Sequence, residues 1–304
     1  FYESNLGLIP FPNFSNPKLV SLDLRRTNIQ GGRFGNSSKV IHATTFAQCS
    51  ELETLRIEST KLLDGVGIDE NAFASNLKLR SFTYLSSNRT NGQINQLFKN
   101  NEALRTLNLK GNAFDGTIPN FLNNPLINDV DLSNNNFTGN IPGFTNLKNL
   151  RKIRLENNNC TSISSPELLE NLYNFHAHNN NLSGSVPDFS TCPQLRELTL
   201  NNNLFTSYTS GSIATLTRIN FIDLSNCKLG QTAQNAIIDD LKLSYDNGNR
   251  SRLVINLRGN SSPTDPNLLT KPSTESLKIA RDLVRVSNWT IVVNGGLGTD
   301  EPEE

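Results

Sequence analysis

The sequence predicts an α/β solenoid: a right-handed superhelix with a curved parallel sheet of about eleven short strands, an irregular convex side and a helical C-terminal cap. Three observations predict it. An apolar pattern recurs in phase through the middle of the chain, an asparagine recurs at one point of that pattern, and a column of phenylalanines recurs at another. Self-similarity at such a period marks stacked units, none of which can bury its apolar face alone.

The pattern L-x-x-L-x-L-x-x-N-x-L reads as Leu104-Leu107-Leu109-Asn112-Phe114, Ile127-Val130-Leu132-Asn135-Phe137, Leu150-Ile153-Leu155-Asn158-Cys160, Leu172-Phe175-Ala177-Asn180-Leu182 and Leu195-Leu198-Leu200-Asn203-Phe205. Weaker copies begin at Leu19, Leu52, Leu79 and Ile219, and two degenerate strands follow around Ile255-Leu257-Asn260 and Trp289-Ile291-Asn294. First positions at 19, 52, 79, 104, 127, 150, 172, 195, 219, 252 and 286 give a regular middle and stretched ends.

Alternation at the fourth and sixth positions makes a short strand with one face inward, and each repeat lays its strand beside the last. An asparagine at the ninth position carries both a donor and an acceptor for backbone groups where the chain bends out of the strand. Asn112, Asn135, Asn158, Asn180 and Asn203 are therefore expected to stack as a structural ladder, with Thr27, Thr60, Ser87 and Cys227 as weaker substitutes. Six residues before a repeat start stand Phe46, Phe73, Phe98, Phe121, Phe144 and Phe189, with Ile213 substituting once, which predicts a packed convex spine.

Gly116-Thr117-Ile118-Pro119, Gly139-Asn140-Ile141-Pro142 and Gly184-Ser185-Val186-Pro187 predict short extended flank segments rather than long helices. With these runs the centre of the chain resembles plant-type leucine-rich repeats, whose hallmark is N-x-L-x-G-x-I-P. That resemblance implies a noncatalytic binding scaffold.

At the N-terminus, Asn5-Leu6-Gly7-Leu8-Ile9-Pro10 echoes the second half of a repeat, so the chain is read as starting inside one. The paired-cysteine cap usual in plant receptor ectodomains is missing, which tells against that setting. Beyond residue 231, residues 233–241 and 276–285 read as amphipathic helices that cover the open end of the core. The expected organisation is a solenoid over 1–230, irregular capping repeats over 231–299 and an acidic tail over 300–304. The order Asn235-Ala236-Ile237-Ile238, Ile255-Asn256-Leu257, Trp289-Thr290-Ile291 resembles leucine-rich-repeat tail-fibre or virion proteins of marine bacteriophages, cyanophages in particular. This resemblance implies a virion-surface setting.

Lys and Arg total 28 against 28 Asp and Glu, so no general attraction to nucleic acid is expected. No apolar stretch approaches the ~18 residues of a membrane span, so no membrane insertion is expected. Cys49, Cys160, Cys192 and Cys227 form no CxxC pair and read as buried free thiols. Nine Asn-x-Ser/Thr sequons start at Asn13, Asn36, Asn88, Asn136, Asn159, Asn181, Asn249, Asn260 and Asn288. They would carry glycans only in a eukaryotic secretory product.

No nucleophile elbow, P-loop or dinucleotide fingerprint is present, and neither an enzyme activity nor a cofactor is expected. His176 and His178 point to the same side of one strand, but only Glu156 offers a third ligand, so no metal site is expected. The second, third, fifth, seventh and eighth positions are read as the concave face. They supply the candidate ligand-binding residues Arg105, Lys110, Asp129, Asp131, Arg151, Arg154, Glu156, Tyr173, His176, His178 and Arg196. The reading that follows is a recognition module on a virion surface or otherwise extracellular, binding host surface polysaccharide or protein and touching neighbouring subunits of its assembly. A secreted plant-like ectodomain and a structural decoration subunit are the alternatives.

Overall fold

The computed structural model describes residues 13–25, 39–60, 67–86, 91–249, 252–265 and 267–297. The positions of Thr27 and Ser87, the start of the chain and the tail 300–304 lie outside them. Two compact units make up the chain, residues 1–159 and 160–304.

In the first unit six strands lie in repeat phase: Ser21–Arg25, Thr54–Thr60, Ser81–Ser86, Thr106–Asn108, Asp129–Asp131 and Lys152–Arg154. Each pairs in parallel with the next, and the register joins equal positions of successive repeats, Leu22 to Leu55 to Phe82 to Leu107 to Val130 to Ile153. All but Leu22 are fully buried, and each such side chain contributes about 1.5–3 kcal/mol on leaving water. The convex side is filled by the phenylalanine column. Phe46 and Phe73 stack at 6.1 Å, Phe73 and Phe98 at 5.7 Å, and Phe121 and Phe144 at 6.4 Å.

In the second unit five strands follow the same rule: Asn174–His176, Glu197–Thr199, Phe221–Asp223, Val254–Asn256 and Thr290–Val292. Their register runs Phe175 to Leu198 to Ile222 to Ile255 to Ile291, so with the first unit eleven described strands lie in repeat phase. The last repeat differs from the sequence expectation. Pairing of Ile255 with Ile291 puts its first position at 288, not 286, and Trp289 occupies the second position rather than the fourth. Asn294 consequently leaves the ninth-position column. Its amide donates to the carbonyls of Asn260 and Thr270, and its oxygen accepts from the Gly259 N–H.

Helix α1 spans Gln231–Asp246 and helix α2 spans Thr274–Val286, both longer than their apolar cores at 233–241 and 276–285 suggested. Polar side chains lock α1 in place beyond its apolar stripe. The buried Asp240 carboxylate accepts from the Tyr208 hydroxyl at 2.5 Å and from the Gly211 N–H, and Ser244 donates to the Leu216 carbonyl. Burial and the Asp240 carboxylate together hold the Tyr208 phenol far above its ordinary range, so it stays a donor. The start of α2 is set by Ser273, whose hydroxyl accepts from the Ser276 N–H.

Candidate functional site

What the strand face can offer depends on what the turns have already used. At the ninth position, Asn135 Nδ2 donates to the carbonyls of Leu109 and Leu132 while its Oδ1 accepts from the Phe114 N–H. Asn112 and Asn158 make the same pair of donations, to Tyr84 and Leu109 and to Leu132 and Leu155. In the second unit Asn180 donates to Ala177 and Asn203 to Ala177 and Leu200. Asn260 joins them, donating to Leu224 and Leu257 and accepting from the Leu229 N–H.

A second ladder was not anticipated. Three residues before a repeat start, buried Asn76, Asn101 and Asn124 donate to the carbonyls of Phe46 and Cys49, of Phe73 and Asn76, and of Phe98 and Asn101. Asn249 repeats the role in the second unit, donating to Leu216 and Ile219. The column mixes these with Cys49, Leu147, Leu169, Cys192 and Leu216, and that mixing hides it from a hydropathy reading.

The fifth and eighth positions also serve the turn. Asn108 Oδ1 accepts from the Lys110 N–H, Asp131 from Ser133, Asp223 from Ser225 and Asn256 from Arg258. Gly111, Asn134, Asn157, Asn179, Asn202, Asn226 and Gly259 occupy the eighth position with φ between 52° and 74°, the left-handed region that asparagine and glycine tolerate. The eighth column is thus left-handed turn backbone rather than plain strand, with the side chains of Asn134, Asn157, Asn179, Asn202 and Asn226 exposed. Asp131 likewise departs from its expected place: it is buried, and its carboxylate takes both the N–H and the hydroxyl of Ser133, the latter at 2.6 Å.

The remaining charges of the first unit's strand face are largely matched to one another. Arg154 Nη1 lies 3.4 Å from Asp129 Oδ1 on the adjacent strand, Arg25 forks onto Asp23, and Arg56 meets Glu58. Burial pushes the Asp129 carboxyl above its usual range against the pull of Arg154 and Lys152. Glu156 is half-buried. Arg105, Arg151 and Lys110 are exposed, and none of the three has a side-chain hydrogen bond or ion pair among the described residues.

In the second unit His176 Nε2 stands 3.4 Å from Glu197 Oε2, and the Asn174 amide donates to the same carboxylate. His178 Nδ1 is 3.1 Å from the Thr199 hydroxyl. Tyr173 is half-buried, and Arg196 is exposed without a side-chain partner among the described residues. Phe221 and Val254, half-buried partners in register, add an apolar step to this face. Among the described residues no group of three or more His, Cys, Asp or Glu side chains is arranged to hold a metal ion. No described helix is long and apolar enough to cross a membrane.

A leucine-rich-repeat family model matches residues 103–125. Among solved structures the chain is similar to a plant peptide hormone receptor, RGFR1 in complex with RGF2, at 25% identity and TM-score 0.65, covering 85% of this chain and 43% of the receptor. A TDR receptor matches at 22% identity and TM-score 0.63 over 81% of this chain and 44% of that one. The Arabidopsis receptor kinase HAESA, in complex with the peptide hormone IDA and the co-receptor SERK1, matches at 20% and 0.57 over 81% and 43%. The fold is that of leucine-rich-repeat structures. The chain spans less than half the length of these receptor chains. No curated protein sequence matches it.

Proposed function

We propose that this chain is a noncatalytic recognition module that binds an extended protein segment across its strand face. The observation that carries this reading is the contrast within the first unit. Asp129 and Arg154 neutralise one another, whereas Arg105 and Arg151, at the second position of their repeats, present exposed guanidinium groups without partners among the described residues. Arg196 occupies the same repeat position in the second unit. A planar fork of donors on a rigid strand suits carbonyl or carboxylate oxygens, and charge-assisted contacts of that kind carry a large share of interface energy. Similarity to receptors crystallised with peptide hormones supports a polypeptide ligand. A peptide array probed with the full chain is the test. Binding should fall at least about tenfold in Arg105→Glu and Arg151→Glu and stay unchanged in Lys99→Glu on the opposite flank. Equal binding by all variants would remove the strand face from the reading.

The setting rests on different evidence. The C-terminal motifs that resemble cyanophage tail-fibre proteins support a virion surface and a host glycan or protein as the target, with neighbouring virion subunits as further partners. Similarity to plant receptors supports the secreted ectodomain instead. Mass spectrometry of purified virions and of secreted fractions from the source separates the two.

A further inference from the structure

In the six repeats that start between residues 104 and 219 the first position is a fully buried aliphatic residue: Leu104, Ile127, Leu150, Leu172, Leu195 and Ile219. The last two repeats invert this. The register that pairs Ile255 with Ile291 puts Arg252 and Asn288 at the first position, both exposed, while Leu253 and Trp289 at the second position are buried. The inversion takes apolar filling away from one place and sets a guanidinium and a carboxamide there in neighbouring repeats.

A cavity of about 320 Å³ opens at that place, walled also by Tyr245 from the last turn of α1 and by Arg285 and Ser287 from the end of α2. Its floor is ordered: the Tyr245 and Trp289 rings meet edge to face at 5.7 Å, and the Tyr245 hydroxyl donates to the Val286 carbonyl. Its charge is positive. Arg252 has no hydrogen-bond or ion-pair partner among the described residues, and Arg285 meets a well-exposed Asp282 at 3.4 Å, a contact of little strength in water.

We propose that this cavity binds the carboxylate of an acidic sugar unit, a hexuronate within a polysaccharide. The two guanidinium groups take the carboxylate, and the Asn288 amide and Ser287 hydroxyl face the ring hydroxyls. The volume suits one sugar ring, and a polar wall over the buried Trp289 and half-buried Tyr245 rings fits a hydroxylated ring better than an apolar peptide side chain. The site is separate from the strand-face reading above and does not depend on it.

Trp289 is the sole tryptophan, so its fluorescence reports this cavity alone. The full chain is titrated with trigalacturonate, with neutral maltotriose and with a short peptide ending in a free carboxylate. Trigalacturonate should shift the emission saturably, with an affinity that weakens as salt rises. Arg252→Ala and Arg285→Ala, both exposed, should each weaken it about tenfold, as expected for one lost charge-assisted contact. Arg252→Lys should recover part of the loss, and Lys99→Glu, at an exposed position of the first unit, should leave the titration unchanged. An emission that does not move, an equal response to maltotriose, tighter binding of the peptide, or undiminished binding by Arg252→Ala would each overturn the proposal.

Discussion

Gly259 lies against the side chain of Asn226: a Cβ placed on Gly259 would come within 1.9 Å of Asn226 Oδ1. Asn226 is the first donor of an exposed amide row, giving its Nδ2 hydrogen to Asn202 Oδ1, while Asn202 gives its own to Asn179 Oδ1. Gly259 also adopts φ +74°, so a side chain there is strained as well as obstructed. Gly259→Ala is expected to destabilise the chain by about 1–3 kcal/mol, read as a lowered denaturant midpoint. An unchanged midpoint would show that the Asn226 amide moves aside freely.

Asn135 donates to the carbonyls of Leu109, Leu132 and Ser133 and accepts from the Phe114 N–H with a single buried side chain. Asn135→Asp keeps the shape but has no hydrogens to donate, so it faces the Leu109 and Leu132 carbonyls with charge. The expected loss is about 2–5 kcal/mol, larger than for Asn136→Asp on the exposed neighbouring position. Comparing thermal unfolding of the two variants checks it.

Burial pushes the thiols of Cys160, Cys192 and Cys227 up to about 12, and raises Cys49 as well. The unfolded chain releases these protons near 9.0, whereas the folded chain keeps them, so this contribution to stability is complete below pH 9 and declines as pH rises from there towards 12. Iodoacetamide at pH 8 is expected to spare all four cysteines in the native chain and label all four in denaturant. Rapid native labelling of Cys227 would contradict the packing around it.

For Asp129 the sign is the less familiar one. Its carboxyl is raised above 3.8 in the folded chain, chiefly by burial, so the neutral form is favoured there and stability falls as pH rises through the folded value. An uncharged carboxamide in its place escapes that loss. Asp129→Asn is therefore expected to melt at or above the wild-type temperature at pH 7, with the difference vanishing below about pH 4. A clear destabilisation at pH 7 would mean that the contact with Arg154 outweighs the burial.

Much of this architecture was legible because burial alone dictates it. The fourth and sixth positions and the phenylalanine column follow from apolar spacing, and a ninth-position asparagine announces its own use. The phase of the last repeat was not legible. Trp289 looks like a fourth-position core residue, and the pairing of Ile255 with Ile291 and the hydrogen bond from the Thr290 N–H to the Leu253 carbonyl show that it sits two positions earlier. Asp131 was hidden for another reason: an acid at an alternating strand position has the pattern of a solvent-facing residue, and nothing in hydropathy reveals that Ser133 will close on it. Asn76, Asn101 and Asn124 escaped because cysteine and leucine share their column. Of the candidate site, Arg105 and Arg151 stood out by position, whereas Arg252 disappeared into a degenerate repeat.

The buried amides of Asn249 and Asn260 bear on how this chain tolerates covalent sugar. Both begin sequons, and both spend their nitrogen hydrogens on carbonyls inside the fold. A glycan on either nitrogen would take one of those hydrogens and demand open space where there is none. Asn13, Asn136, Asn159, Asn181 and Asn288 are exposed and could carry one without disturbing the core. An oligosaccharyltransferase that reached residue 260 before the chain closed would leave behind a molecule unable to complete its last turns.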